Sequence, residues 1–176
     1  MSFRVYTKDY GSLNLFAKGI RLEKSKLRGS IETFTYAKIA FIAGKELYRL
    51  TYAEVQKPFP CIRADFFRFR TATRILRLMN EMTADEEKDL RLWELVRGAF
   101  SVLDSEAYTQ ERAAVFFSTF QLKFLDILGY LPEQKPAVAE KLFNSESLLP
   151  DLEIASQNSE ELSQFLKTIY GYTGRQ

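Results

Sequence analysis

The sequence predicts an α+β chain: a small β-barrel or strongly curled sheet over residues 1–57, then an all-helical domain over residues 58–176. The first region alternates apolar and polar side chains with a period of two. Lys57-Pro58-Phe59-Pro60 then puts two prolines in three residues, which ends strand pairing and turns the chain. Beyond it, apolar residues recur at helical spacing, as in helices with one buried face.

Ser2 to Thr7 is a short strand rich in Phe, Val and Tyr, and Lys8 to Gly11 is a turn. Ser12 to Ile20 sets Leu13, Leu15 and Ala17 against Ser12, Asn14 and Phe16, which makes a half-buried strand. Thr33 to Ala43 is β-branched and aromatic, and Gly44-Lys45 turns it into Glu46 to Val55 to complete a hairpin. A first helix is expected over Ile62 to Met82, with Phe66, Phe69, Thr73, Leu76 and Met79 along one face. A second is expected over Asp85 to Leu103, its first turn the acidic run DEEKD, and a third over Thr109 to Leu128, closed by Gly129. The phenylalanines of the third, Phe116, Phe117, Phe120 and Phe124, read as core. A short helix over Pro136 to Phe143 and a last one from Ser159 to about Tyr170 flank a polar loop, 144–158.

Composition excludes several chemistries. The chain has 176 residues and is 46% hydrophobic, enough to bury a core. It contains no histidine, so neither a Ser-His-Asp triad nor a His-ligated metal exists here. Phosphate-loop, dinucleotide and zinc-protease motifs are absent. The lone Cys61, next to Pro60, reads as an inert linker residue and cannot form an internal disulfide. No run of about 18 apolar residues predicts a membrane span. The N-terminal stretch lacks the apolar core of a secretory signal, so a cytoplasmic protein is expected.

The net charge of +2 hides a split: residues 1–80 hold 16 Lys and Arg against 6 Asp and Glu, whereas residues 81–176 hold 9 against 17. A basic half predicts a polyanionic partner. Its densest stretch is Ala17 to Gly29, with Lys18, Arg21, Lys24, Lys26 and Arg28 against Glu23 alone. Phe16 beside it supplies an aromatic ring of the kind that stacks on bases while cations pair with phosphates. The first helix repeats the theme with Arg63, Arg68, Arg70, Arg74 and Arg77, four of which (63, 70, 74 and 77) can share one face. That face has a competing reading, in which it pairs with the acidic second half of the chain, DEEKD included.

Specific residues carry a resemblance. Thr7, Gly11, Ala17-Lys18-Gly19, the basic stretch Arg21 to Arg28 with Ser25, and Thr51-Tyr52-Ala53-Glu54 stand in the order of the N-terminal barrel of the bacterial RecO recombination mediators. FQLKFLDILGYLPE, Phe120 to Glu133, resembles that family's helix ending in Leu-Gly-Tyr before a Pro. The resemblance implies an OB-like β-barrel followed by a helical domain, and a nucleoid-associated protein. It implies binding of single- and double-stranded DNA, strand annealing, and loading of a RecA-type recombinase onto DNA covered by single-stranded-DNA-binding protein. Implied partners are a RecR-type mediator and the C-terminal tail of that covering protein. The family's first barrel strand has no counterpart here, so the barrel is expected to be one strand short. Residues 134–158 contain no cysteine, so no zinc is expected.

The expected function is therefore that of a non-enzymatic DNA-binding and annealing protein, with no catalytic residue, metal or cofactor. Lys18, Arg21, Lys24, Lys26 and Arg28 would contact phosphates, and Lys8, Arg68, Arg70 and Arg74 would extend the track. The alternative is a protein–protein adaptor whose basic half docks an acidic partner without binding DNA. A hydrolase built on Asp85, Glu86, Glu87 and Asp89 is the least supported reading, because acids in a helix's first turn complement its dipole.

Overall fold

Alternation decides the sheet. The computed structural model of the chain describes residues 1–18, 32–44, 47–145, 148 and 159–173. Strands β1 (Ser2–Thr7) and β2 (Gly11–Phe16) form a hairpin in register from Ser2↔Phe16 to Thr7↔Gly11. Thr7 ties the turn: its hydroxyl accepts the Tyr10 amide at 3.1 Å and donates to the Gly11 carbonyl at 3.0 Å. Gly11 itself sits at φ +66°, a conformation that L side chains resist.

Strands β3 (Thr35–Ala43) and β4 (Tyr48–Pro58) form the second antiparallel pair. Register shifts leave Thr51 and Gln56 as extra residues on β4. The first bulge re-phases the strand, so Leu50 and Ala53, three apart, both face inward. Parallel pairing of Leu15 with Tyr48 and Phe16 with Arg49 joins the hairpins in the order β1-β2-β4-β3. The inner face buries Leu13, Leu15, Ala17, Leu50 and Ala53, with Phe3, Val5, Ile39, Phe41 and Tyr48 packed around them.

Among the described residues the sheet is open, with β1 and β3 as its edges. It is also curled: Tyr6 of β1 and Tyr36 of β3 both lie against Trp93, with ring centroids 6.4 and 5.7 Å away. Burial raises the Tyr6 phenol to a pKa of about 12, with the Asp89 and Glu87 carboxylates adding to the shift.

The expected helix over 62–82 is two: α1 (Pro60–Ala64) and α2 (Phe66–Met82), broken at Asp65. Cys61 is an exposed residue of α1, where a linker was expected. The next helix, α3 (Leu90–Leu103), starts later than the acids of DEEKD suggest. Of those acids only Asp89 caps it, accepting the Arg91 and Leu92 amides at 2.7 and 3.2 Å. Burial alone would raise the Asp89 carboxyl, but those amides and the Arg91 guanidinium bring it below the usual range.

The chain divides into two units, Met1–Trp93 and Glu94–Gln176. The second is organised by α4 (Ala113–Ile127), which buries Phe116, Phe117, Phe120, Leu122, Phe124 and Leu125. Its phenylalanines are core, as their spacing predicts, and Phe120 stacks on Phe124 at 5.8 Å. Gly129, at φ +76°, follows the end of the helix. Helix α5 (Ala137–Asn144) buries Val138, Ala139 and Leu142, and α6 (Ser159–Thr173) buries Leu162, Leu166 and Ile169.

Candidate nucleic-acid interface

The exposed face of α2 is set by one residue at the start of the helix. Asp65 has extended backbone (φ −115°, ψ 126°), and its carboxylate accepts the Arg68 amide at 2.8 Å. An aspartate so placed satisfies an orphan helix donor and fixes where the helix begins. Where α2 begins and what it packs against decide its outward face. It buries Thr71, Ala72, Ile75, Leu78 and Met79. Phe66, Arg70, Thr73 and Arg77 consequently recur along the exposed side, flanked by Phe69 and Arg74.

This corrects the expected stripe. Phe66 and Phe69 do not face the core but are 70% and 45% exposed, and Phe67 is 37% exposed. The helix packs on a row that includes small side chains, Thr71 and Ala72, which allow close approach. A better sequence signal existed in the spacing of Thr71, Ala72, Ile75, Leu78 and Met79, and in FFRFR, where each ring adjoins a cation or another ring.

Each ring meets a neighbouring ring. Phe66 and Phe67 meet edge to face at 5.7 Å, and Phe69 meets the buried Phe34 edge-on at 5.1 Å. Arg68 lies off this face and is half-buried, whereas Arg70 and Arg74 are exposed on it. Arg77 is engaged by Glu81 at 2.8 Å, one turn along. Arg63, on α1 rather than α2, pairs with Glu32.

The Glu32 pair and the Phe34 contact matter because residues 32–34 form the described C-terminal flank of the basic stretch. Its N-terminal flank is Lys18, exposed just after the buried Ala17. Arg21, Lys24, Lys26 and Arg28 lie outside the described residues. Lys8 is exposed in the β1–β2 turn, at the opposite end of β2 from Lys18. Six strand residues separate those two ends by about 20 Å, so the two lysines do not converge.

Asp85, Glu86 and Asp89 are engaged away from α2's exposed face, whereas Glu81 pairs with Arg77 on it. Residues 83–89 pass beside the first hairpin, with Asp85 in a parallel bridge to Ser12: Arg4 pairs with Asp85 at 2.5 Å, Asn14 donates to Asp85 at 3.1 Å, and the Glu86 amide donates to the Ser12 carbonyl at 2.9 Å. Glu86 also accepts the Tyr48 phenol, which raises that group's pKa. Pairing with DEEKD was the competing reading of the arginine face. Asp85 instead engages β1 and β2, and Asp89 engages α3 and Arg91. Lys8, Lys18 and Arg70 enter no ion pair among the described residues.

In the second unit, Lys123 lies on α4, in the stretch Phe120 to Glu133 that carries the second part of the resemblance. Its ammonium donates to the Phe143 and Ser145 carbonyls at 3.3 and 2.6 Å, closing the end of α5. Burial holds it below the usual lysine range, with Asp126 opposing. Among the described residues no helix is long and apolar enough to cross a membrane.

A curled sheet with one parallel pair, followed by helices and carrying exposed cations, defines an α+β protein with a basic first unit. Two family models match it in succession: Recombination protein O N terminal over residues 3–59, and Recombination protein O C terminal over residues 63–141. The chain belongs to the RecO family.

Similar proteins bear the name DNA repair protein RecO. That of Thermodesulfovibrio yellowstonii is 33% identical over 131 residues, covering 73% of this chain and 50% of the relative. That of a Thermoanaerobacter species is 28% identical over 129 residues, covering 73% and 51%. The Listeria monocytogenes protein is also 28% identical over 129 residues, covering 73% and 49%. The chain thus spans about half the length of the relatives it matches.

Proposed function

We propose that this chain is a non-enzymatic DNA-binding and strand-annealing protein of recombinational repair. It would help load a RecA-type recombinase onto DNA covered by single-stranded-DNA-binding protein. The observation that carries the reading is the unspent charge of the first unit. Asp65 caps a helix, Glu32 is engaged by Arg63 and Asp85 by Arg4, while Lys8, Lys18 and Arg70 stay exposed.

Phosphates would be met by Lys18, Arg21, Lys24, Lys26 and Arg28, with Arg70 and Arg74 extending the track along α2. Arg68 is half-buried and Lys8 stands at the far end of β2, so these two would meet phosphates only outside the track along α2. Annealing requires no catalytic group, since neutralising two strands at once lowers their mutual repulsion. A RecR-type mediator and the tail of the covering protein are the proposed partners, in a nucleoid-associated setting. Lys123 is occupied by main-chain carbonyls and is a poor receptor for that tail.

The test is fluorescence anisotropy of a labelled single-stranded oligonucleotide across a salt series. About five phosphate contacts, at roughly −0.7 each, give a log–log slope of about −3.5. The double reversal Lys24→Glu, Lys26→Glu should weaken binding to all sequences alike. Absence of binding at low salt, or a double variant that binds as the parent does, would sink the reading. Among the described residues β1 and β3 are the edges of the sheet, which favours one second reading, an adaptor that adds a partner's strand. A co-purifying partner, together with negligible DNA affinity at physiological salt, would select it.

A further inference from the structure

The exposed large apolar side chains on the first two turns of α2 are all aromatic: Phe66, Phe67 and Phe69. Exposing three rings to water is unfavourable unless something covers them, and each kind of cover leaves a different signature. The buried core of a protein–protein interface is depleted of most charged residues, although aromatic residues and Arg are enriched there. Here the rings alternate with cations, in Phe66-Phe67-Arg68-Phe69-Arg70, and the adjoining acid, Asp65, is committed to the helix cap. Rings beside exposed guanidinium groups match an extended strand of bases and phosphates.

We infer that Phe66, buttressed by Phe67 and flanked by Phe69, is a base-stacking platform for single-stranded nucleic acid, with Arg70 receiving a neighbouring phosphate. The inference rests on the DNA-binding reading and deepens it by assigning strand type and contact residues. Phe66 is the most exposed of the three, at 70%, so one ring face is open to a base. The edge-to-face contact with Phe67, at 5.7 Å and 77°, holds that ring in place. Phe69 is held likewise by Phe34. Such pre-ordering lowers the entropy cost of stacking. Arg70 follows Phe66 by about 6 Å along the helix axis, on the same face. Duplex DNA keeps its bases stacked inside and cannot use the platform, although it can still meet the cations.

The experiment uses the full chain and three ligands of equal length: an oligothymidylate, an abasic strand and a duplex. Phe66→Ala should weaken oligothymidylate binding by roughly 5- to 100-fold, the range for losing one stacked base. Affinity for the abasic strand and the duplex should be unchanged, as should the salt slope, because no phosphate contact is removed. Phe66→Trp should restore binding, and its extra emission should be quenched by oligothymidylate but not by the abasic strand. Phe66 touches no buried residue through its ring contacts, so the variants are expected to fold; urea midpoints equal to the parent's would verify it.

Three outcomes overturn the platform: Phe66→Ala binding oligothymidylate as the parent does, an equal loss on all three ligands, or unquenched emission from Phe66→Trp. In the first case the parent's own affinity keeps the DNA-binding reading standing, and the rings serve a protein partner instead. If the parent binds no single strand even at low salt, both readings fall together.

Discussion

Substituting Gly11 by alanine tests the packing of residues 83–89 on the first hairpin. Gly11 has φ +66°, where an alanine costs about 1–2 kcal/mol. Its Cβ would also stand 2.6 Å from the carbonyl carbon of Glu87 and nearer still to the oxygen. Main chain cannot rotate aside as a side chain can, so the whole segment must shift. The shift sacrifices the 2.9 Å bond from the Glu86 amide to Ser12, worth about 1 kcal/mol. It also strains the partly exposed Arg4–Asp85 pair, worth about 0.5 kcal/mol. The total is about 3 kcal/mol, or a fall of about 1.5 M in the urea midpoint at a slope of about 2 kcal/mol per molar. Trp93 is the chain's one tryptophan, and its contacts with Tyr6 and Tyr36 make its fluorescence the probe for this unit. Gly129 is the control: it has φ +76° but nothing within 4 Å of an added Cβ. Gly129→Ala should cost only the conformational 1–2 kcal/mol or so, followed by far-UV circular dichroism. Equal losses from the two alanines would refute the close approach of Glu87 to the hairpin.

Tyr6 gives a pH prediction. Its phenol is raised to about 12 from 10.0, so the fold favours the neutral form. The associated stability is fully present below pH 10 and is lost as pH rises through about 12. Urea midpoints of Tyr6→Phe should therefore fall less than the parent's over that window, and parallel alkaline losses would contradict the burial of the ring. Phe120→Ala removes a fully buried ring stacked on Phe124 and should cost about 3–5 kcal/mol in the second unit. A loss under about 1 kcal/mol by thermal or urea unfolding would mean that α4 is not the core of that unit.

Much of the sheet was legible because strand alternation is a local property. Leu13, Leu15 and Ala17 are each 1% exposed, on the face that their spacing assigns. The phenylalanines of α4 were legible for the same reason, since four apolar rings at helical spacing are most stable when buried together. The Phe66 and Phe69 assignment failed because two apolar stripes competed on one helix. Propensity and periodicity do not say which stripe a neighbour will cover. The break at Asp65 was readable in hindsight as an N-cap, yet an aspartate inside an amphipathic run is equally a surface residue.

The acids of DEEKD show the limit most clearly. A charged run before a helix suggests dipole compensation, and Asp89 does act there. Asp85 instead bonds Arg4 and Asn14, about seventy to eighty residues earlier, and no local pattern encodes that pairing. The sequence by itself determined the order of elements, the sheet's inner face, the basic character of the first unit and the family. These follow from periodicity, charge and motif, which are properties of neighbours along the chain. Only tertiary structure decided which cations remain exposed and that three phenylalanines face outward. Those outcomes depend on which distant groups reach one another first in space, where a single capping aspartate or a neighbouring segment selects between faces of nearly equal merit.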